Sequence, residues 1–348
     1  MKIAVYAISK NEEQFVKRFC ESAKDADLIL IADTGSTDDT VKLAKKYGAT
    51  VYDIAVTPWR FDIARDTALT LIPKDFDVCI SLDLDEVLED GWREEIERIW
   101  KQETTRLRYK FDWGCGISFY YEKIHHRHGY HWHHPVHEYP VPDGRITEIY
   151  AQTDKLLVSH HPDPTKSRGQ YLPLLELAVK EDPRCPRNAF YYARELTFYH
   201  KWLDAVVALN KYLAMPEANW PNERCYAMRL LGKAYDHLGQ DGTDWFRKAC
   251  VEAPNTREPW VELAQSCLAK KEWQECYDAV LRALDIKDKA LVYTMNPDVW
   301  GALPHDLAAL SAHYLGNKDE AIKHGKLALE LDPDNIRLKT NLEFYEGK

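Results

Sequence analysis

The chain has 348 residues, of which 45% are hydrophobic and 29% are charged. These values exclude a disordered or collagen-like chain, and the length predicts about two globular domains. With 46 Lys and Arg against 56 Asp and Glu, the net charge is -10, which argues against a general surface for nucleic acid or anionic membranes.

The sequence shows neither a membrane-spanning segment nor a cysteine motif for zinc. No run of about 18 apolar residues is present, and polar residues follow the start too early for a signal peptide. We therefore expect a cytoplasmic protein without a membrane span. The eight cysteines are scattered without a C-x-x-C pair, so neither a zinc ribbon nor a thioredoxin-like motif is predicted.

The first hundred residues alternate short β-rich runs with segments of helical periodicity. The predicted strands are residues 2–8, 28–32, 50–56 and 78–82, and helices are predicted at 38–47 and 61–71. Ser36 or Thr37 is the expected N-cap of the helix at 38–47. This alternation predicts an α/β fold with a parallel sheet.

Polar residues follow three of the predicted strands, at positions 9–13, 33–40 and 83–86. Ligands of such sheets bind beyond the carboxyl ends of the strands, so these residues are the first candidates for a site. Neither the G-x-G-x-x-G of a dinucleotide fold nor a P-loop is present. Asp83 and Asp85 are two positions apart, and at a strand end their carboxylates can face one hard cation such as Mg²⁺ or Mn²⁺.

Four motifs stand in order at these strand ends. They are Ile8-Ser9-Lys10-Asn11-Glu12-Glu13, Ile31-Ala32-Asp33-Thr34-Gly35-Ser36-Thr37-Asp38-Asp39-Thr40, Ala64-Arg65-Asp66 and Ser81-Leu82-Asp83-Leu84-Asp85-Glu86. In this order and spacing the motifs resemble the family 2 glycosyltransferases of GT-A fold, over residues 1–160. The resemblance implies a Rossmann-like catalytic domain that binds a nucleotide-diphosphate sugar.

The same resemblance implies roles for single residues in donor binding. The backbone at Ser9 and the side chain of Glu12 would border the nucleotide base, and Asp33 would accept a hydrogen bond from that base. Arg65 would lie near the base or the diphosphate, which suits a guanidinium.

The two aspartates of the fourth motif are implied to act at the metal. Asp83 would approach the ribose or the cation, and Asp85 would bind the cation directly. Oxygen ligands of this kind favour Mn²⁺ or Mg²⁺ bridging to phosphate oxygens.

Nine of the 14 histidines fall between residues 125 and 161. A zinc cage is not predicted, because H-E-x-x-H and a nearby cysteine pair are missing. For residues 125–134 a solvated loop is favoured over an acceptor groove.

Two segments of this region resemble family 2 transferases that carry helical repeats. Pro135-Val136-His137-Glu138 resembles their V-H-E segment, which implies Glu138 as general base, with a structural salt bridge as the alternative. The following strand ends in His160 and His161, either of which would complete the metal shell, and the sequence does not choose between them.

From residue 166 onward strand signals fade and helical patterns follow one another. Ala249 and Ala283 are 34 residues apart, and Ala328 follows 45 later. The first spacing is the tetratricopeptide period, and the second implies an insertion of 11 residues, placed around residues 293–304. We expect domains at 1–165 and 166–348, the second with about four repeats and a concave surface for a peptide or protein partner.

These features predict a metal-dependent, inverting glycosyltransferase of the hexosyltransferase type, with a UDP-sugar as the favoured donor. The acceptor stays open among a glycan, a peptide and a modified nucleobase. One alternative is a nucleotidyltransferase, for which residues 9–12 lack a glycine-rich, basic triphosphate loop. A non-catalytic scaffold is the other, and the intact pair of Asp83 and Asp85 argues against it.

Overall fold

The computed structural model describes residues 1–347, and the chain divides into two compact units, Met1–Ala178 and Val179 onward. The border predicted at 165/166 lies in the irregular segment between the last strand and a helix that crosses from one unit to the next. Among the described residues no helix combines the length and the apolar character that a membrane span requires.

The first unit contains a large mixed sheet, four helices and a two-stranded sheet. Its strands are β1 Ile3–Ser9, β2 Leu28–Asp33, β3 Thr50–Asp53, β4 Val78–Ser81, β5 Glu86–Leu88, β6 Arg106–Gly114, β7 Ile117–His126, β8 Tyr130–His133, β9 Tyr139–Pro142 and β10 Tyr150–His160. Its helices are α1 Glu13–Ser22, α2 Thr40–Lys46, α3 Phe61–Leu71 and α4 Trp92–Ile99, and α5 Tyr171–Glu181 crosses the border.

The large sheet has the strand order β3-β2-β1-β4-β7-β6-β10-β5. The first four of these strands are parallel, as predicted, so their carboxyl ends lie at one edge, with Ser9 directly opposite Asp33. The remaining strands include antiparallel pairs, and β10 pairs with β5 so that His160 lies opposite Glu86. This pairing brings the end of β10 to the segment that follows β4.

The central strands are buried on both faces, which explains their continuous apolar sequences. Val5 and Ala7 of β1 pack in one cluster with Phe15 and Phe19 of α1. The alternate residues, including Tyr6, pack on the opposite face in a second cluster with α3. The α/β prediction for this unit is thereby confirmed.

Two local predictions were wrong. Helix α2 begins after Asp39 without a side-chain cap, because the Ser36 hydroxyl is bonded to Asp33 instead. The histidines of 125–133 do not form a loop, since they lie on β7 and β8 and in the turn between them, and His134 directly follows β8. His125 is fully buried there and is hydrogen-bonded to the Tyr6 hydroxyl at 3.0 Å.

The second unit is built from consecutive helix pairs. Its helices are α6 Pro186–Phe198, α7 Trp202–Leu213, α8 Pro221–His237, α9 Thr243–Glu252, α10 Arg257–Ala269, α11 Trp273–Asp285, α12 Leu303–Tyr314, α13 Lys318–Leu331 and α14 Ile336–Glu346. Ala249, Ala283 and Ala328 are all fully buried on second helices of pairs. The tetratricopeptide-like periodicity is confirmed. The predicted insertion at residues 293–304 overlaps the segment between α11 and α12, residues 286–302, but its last two residues belong to α12. This segment contains one 3-10 turn at Pro297–Trp300.

Candidate active site at the carboxyl ends of the strands

The loop after β2 is organised by the carboxylate of Asp33. This buried side chain accepts hydrogen bonds from the hydroxyls of Ser9 and Ser36 and from the backbone N–H groups of Gly35 and Ser36. Burial alone would raise the pKa of Asp33, but these hydrogen bonds outweigh it and lower the pKa. The four acceptor positions of the carboxylate are used within the loop, so a contact with a base would require one of these bonds to open.

Arg65 of α3 connects three of the side chains at the sheet edge. Its guanidinium donates to the Ser81 hydroxyl at 3.1 Å, to Asp83 at 2.5 Å and to the carboxylate of Glu138. The guanidinium also lies 4.9 Å from the centre of the Trp132 ring. Arg65 is 3% exposed, and a planar fork of donors suits such a buried position between two carboxylates.

Lys123 of β7 is a buried cation that the sequence analysis did not identify. Its ammonium donates to Asp83 at 3.2 Å and to Glu86 at 3.1 Å. Burial would lower the pKa of Lys123, but the two carboxylates outweigh it and raise the pKa well above its usual value. The available signal was the lysine at 123 between Tyr121 and His125, which share one face of the strand.

Asp83 and Glu86 respond differently to this environment. Burial opposes the ionisation of Asp83, but Arg65 and Lys123 hold its pKa well below the usual range. Burial raises the pKa of Glu86 to about 6, although Lys123 acts in the opposite direction. Glu86 also accepts the backbone N–H of Asp83 at 3.0 Å, which closes the turn after β4.

Asp85 faces His160 and not His161. The Nε2 atom of His160 lies 3.4 Å from the Asp85 carboxylate, and both side chains are at most 14% exposed. His161 is exposed, and its backbone N–H donates to the Asp85 carbonyl at 2.8 Å. Burial lowers the pKa of His160, but Asp85 outweighs it and raises the pKa. The ring of Trp113, which is 47% exposed, packs against His160 with centroids 4.3 Å apart and an angle of 37° between the planes.

Glu12 lies at the start of α1 and is paired with Lys166. The ammonium of Lys166 donates to the Glu12 carboxylate, and Gln14 of α1 donates to Asp163 at 2.8 Å. Burial raises the pKa of Glu12, while Lys166 acts in the opposite direction. The segment after β10 therefore returns to the first strand end, and its lysine brings a cation to the side of the site where Glu12 was predicted.

The sequence of the first unit is similar to known glycosyltransferases. Residues 5–132 match the family model described as Glycosyl transferase family 2. Proteins named as uncharacterized glycosyltransferases of Rickettsia conorii and Rickettsia typhi are each 36% identical over 100 residues, which is 28% of this chain and 34% and 32% of theirs. The first unit carries a family 2 glycosyltransferase domain. The match spans about a third of the length of these relatives.

Among solved structures, the crystal structure of MamA resembles part of the chain. It covers 47% of this chain and 81% of its own, with 21% sequence identity and a TM-score of 0.38.

The family 2 match contains Ser9, Glu12, Asp33, Arg65 and the two aspartates of the fourth motif. Glu138, His160 and His161 lie beyond its last residue. The structure brings Glu138 and His160 to the same edge through Arg65 and Asp85, whereas the ring of His161 does not face Asp85.

The spacing of Asp85 and His160 fits a divalent cation. Two ligand atoms held at about 2.1 Å by one cation lie about 3.0–3.4 Å apart, depending on the coordination angle. The 3.4 Å between Asp85 and His160 falls at the upper end of this range, and the Nδ1 atom of His160 is buried without a hydrogen-bond partner. Asp83 is less suitable, because both of its oxygens accept bonds from cations.

The pair of Asp85 and His160 leaves further coordination positions to be filled from outside the protein. Mg²⁺ and Mn²⁺ sites commonly use one or two side chains together with phosphate oxygens and water. Among the described residues, a group of three close ligand atoms occurs at Cys267, Glu272 and Glu275 in the second unit. Glu275 is already bonded to Arg247 there, at 2.7 Å. The pair at Asp85 is therefore the arrangement that fits a substrate-bridging cation.

Proposed function

We propose that the chain transfers a sugar from a nucleotide-diphosphate donor, with a UDP-sugar as the favoured donor, to an acceptor hydroxyl. The observation that carries this proposal is the pair of Asp85 and His160, which lies at the strand ends of a family 2 domain beside the charged row of Arg65, Asp83 and Lys123. A cation and a diphosphate placed here would lie where open α/β sheets bind their ligands.

The diphosphate of the donor needs a cationic side chain that is not already neutralised by carboxylates of the protein. Arg65 and Lys123 are each paired with two carboxylates, so their role is to hold Asp83 in place and ionised. The side chain of Lys166 is 54% exposed, and among the carboxylates of the described residues it bonds only that of Glu12. We assign Lys166 to the diphosphate, while Ser9, Glu12 and the Asp33 loop border the nucleoside.

Asp85 and His160 are proposed to hold Mn²⁺ or Mg²⁺. When bound, the cation supplies Lewis-acid stabilisation of the negative charge on the departing diphosphate. The protein's own contribution is the orientation of the two ligands. His160 is held by Asp85 on one side and by the Trp113 ring on its face, so little reorganisation is needed when a ligand binds.

The acceptor side of the proposal uses Glu138 and Trp113. Glu138 is proposed to take the proton from the attacking hydroxyl, which predicts inversion at the anomeric carbon. The bond from Arg65 orients the carboxylate toward the row that contains Asp83. The exposed ring of Trp113 provides a flat apolar surface beside His160, which suits the apolar face of a sugar ring.

Calorimetric titration of UDP in the presence and absence of Mn²⁺ tests the donor and metal assignments. We expect binding that depends on Mn²⁺, and we expect Asp85→Asn to weaken it at least tenfold, because the variant loses an anionic ligand. The matched control is Asp154→Asn, at an aspartate that is 63% exposed and bonded to Tyr120. Equal binding of UDP in EDTA, or equal affinity of the two variants, would contradict the proposal.

A further inference from the structure

The first helices of the pairs in the second unit form one continuous inner layer. Helix α6 packs on α8, α8 on α10, and α10 on α12. Stacked helix pairs of this kind generally present an extended concave surface to their ligands. We call the segment between α11 and α12, residues 286–302, the insertion.

The insertion runs along this inner layer from α10 back to α6. Its Tyr293 stacks on Tyr191 of α6, with ring centroids 6.1 Å apart and an angle of 23° between the planes. The hydroxyl of Tyr293 donates to Glu223 of α8, which also accepts from Tyr212. A single aromatic side chain thus bridges two helix pairs that are distant from it in sequence.

The main chain of the insertion is also bound by side chains of the inner helices. Arg229 of α8 donates to the carbonyl of Thr294 at 3.3 Å, and Glu258 of α10 accepts the backbone N–H of Asn296 at 3.1 Å. Arg257 of α10 donates to the carbonyl of Val299 at 3.2 Å. Main-chain hydrogen bonds combined with pockets for a few side chains are how proteins recognise extended peptides.

Burial along the insertion follows the same pattern. Thr294, Met295 and Val299 are 7%, 6% and 1% exposed, whereas residues 287–290 are exposed. A small crevice that remains between the insertion and the helices is lined by residues such as Cys225 and Thr256. The concave surface is therefore occupied along α8 and α10.

We propose that the insertion is a built-in ligand of the concave groove, and that the groove recognises an extended peptide with a tyrosine placed as Tyr293 is. A tethered segment has an effective concentration of about 1 mM. If the segment itself binds the empty groove with a dissociation constant of about 1 μM, an outside peptide would bind roughly 1000-fold more weakly than it would to an empty groove. In the intact chain the groove is closed to such peptides.

The test compares the intact chain with a shortened chain. In the shortened chain residues 286–302 are replaced by Ala253-Pro254-Asn255-Thr256, the link that joins α9 to α10 in the same unit. A synthetic peptide of residues 287–302 is titrated into both. We expect micromolar binding to the shortened chain, at least tenfold weaker binding when the peptide carries Tyr293→Ala, and no binding to the intact chain at the same concentrations. A folded shortened chain that does not bind the peptide would overturn the proposal, as would equal binding by the intact chain.

A second measurement on the full-length chain keeps the proposal testable if the shortened chain does not fold. Hydrogen exchange of residues 292–299 is compared between the wild type and Tyr293→Ala. We expect exchange to become at least tenfold faster, including at the amide of Asn296, because the segment loses its anchor on α6 and α8. Asp288→Asn, at an exposed position of the insertion, should leave the rate unchanged. Unchanged exchange in Tyr293→Ala would refute the anchoring.

Discussion

Asp83 and Asp85 are two positions apart, but their surroundings give them different properties. Asp83 lies between Arg65 and Lys123, so its negative charge is compensated by the protein. Asp85 has only His160 beside its carboxylate among the ion pairs of the described residues. Two carboxylates in different environments usually have different tasks, and here one is suited to organise the edge of the sheet and the other to meet a cation.

The sequence identified most of the residues at this edge but not their partners. Arg65, Asp83, Asp85 and Glu138 lie in short motifs that could be read locally. Lys123 belongs to β7, whose position between β4 and β6 depends on long-range pairing. His160, and not His161, lies beside Asp85 because of the register between β10 and β5. A shift of this register by one residue would exchange the two histidines.

His125 is held in its neutral form by burial, and its ring is oriented by a chain of hydrogen bonds. The indole N–H of Trp132 donates to the Tyr6 hydroxyl, which donates to His125 Nε2, while Nδ1–H donates to the carbonyl of His126. Burial lowers the pKa of His125 from 6.5 to about 3. The unfolded chain binds a proton below pH 6.5 and the folded chain does not, so stability is lost as the pH falls from 6.5 toward 3.

The substitution His125→Gln tests whether the protonation of His125 makes the stability of the fold depend on pH. One titrating group with these properties removes about 2 kcal/mol of stability between pH 7 and pH 5. We expect the free energy of unfolding, measured with urea at both pH values, to fall by about 2 kcal/mol less in the variant than in the wild type. His128→Gln, at an exposed histidine of the same region, should keep the wild-type difference. The same pH dependence in His125→Gln and the wild type would argue against a buried neutral imidazole.

At the scale of elements, apolar segments of the sequence predicted the strands correctly, whereas polar segments did not predict the local structure. Of the parallel strands, β1, β2 and β4 were predicted because their residues are buried on both faces and their sequences are almost entirely apolar, whereas β3 is mostly exposed. The N-cap of α2 was mispredicted because Ser36 has a competing acceptor in Asp33, which no local pattern reveals. Strands β7 and β8 were missed because their histidines and charged residues are paired by neighbouring strands.

The contact between α8 and α9 depends on two glycines. A Cβ atom at Gly242 would overlap the carbonyl oxygen of Gly232 in α8, and a Cβ atom at Gly232 would come within 2.6 Å of the Phe246 ring. Because the clash at Gly242 is with backbone, a side chain cannot move aside to relieve it. Overpacking of this kind costs about 1–3 kcal/mol.

We therefore expect Gly242→Ala to lower the urea midpoint of the helical unit, as followed by circular dichroism. The change should correspond to about 1–3 kcal/mol of unfolding free energy. Gly301→Ala is the matched control, since the nearest atom to its added Cβ would be the Asp298 carbonyl oxygen at 3.6 Å. A midpoint for Gly242→Ala that equals that of Gly301→Ala would show that the two helices pack differently.

At the scale of the whole molecule, the sequence predicted that an α/β unit is followed by a unit of helix pairs. The 34-residue spacing of Ala249 and Ala283 predicted stacked helix pairs, and all three repeat alanines are buried as that requires. The presence of an insertion before α12 was also readable, as an interruption of the period, although its bounds were not. Its path along α8 and α10 was not, because it depends on contacts such as that of Tyr293 with Glu223, 70 residues apart.

The most direct test of glycosyl transfer by this protein is to measure the release of nucleoside diphosphate from a panel of nucleotide sugars with Mn²⁺ present. We expect the wild type to turn over one class of donor, slowly to water, and to stop when EDTA is added. Glu138→Gln keeps an oxygen for Arg65 but cannot accept a proton, so its turnover should fall about 100-fold or more while UDP still binds. Near-normal turnover in Glu138→Gln would remove Glu138 as the base. A folded protein that turns over no donor would contradict glycosyl transfer itself.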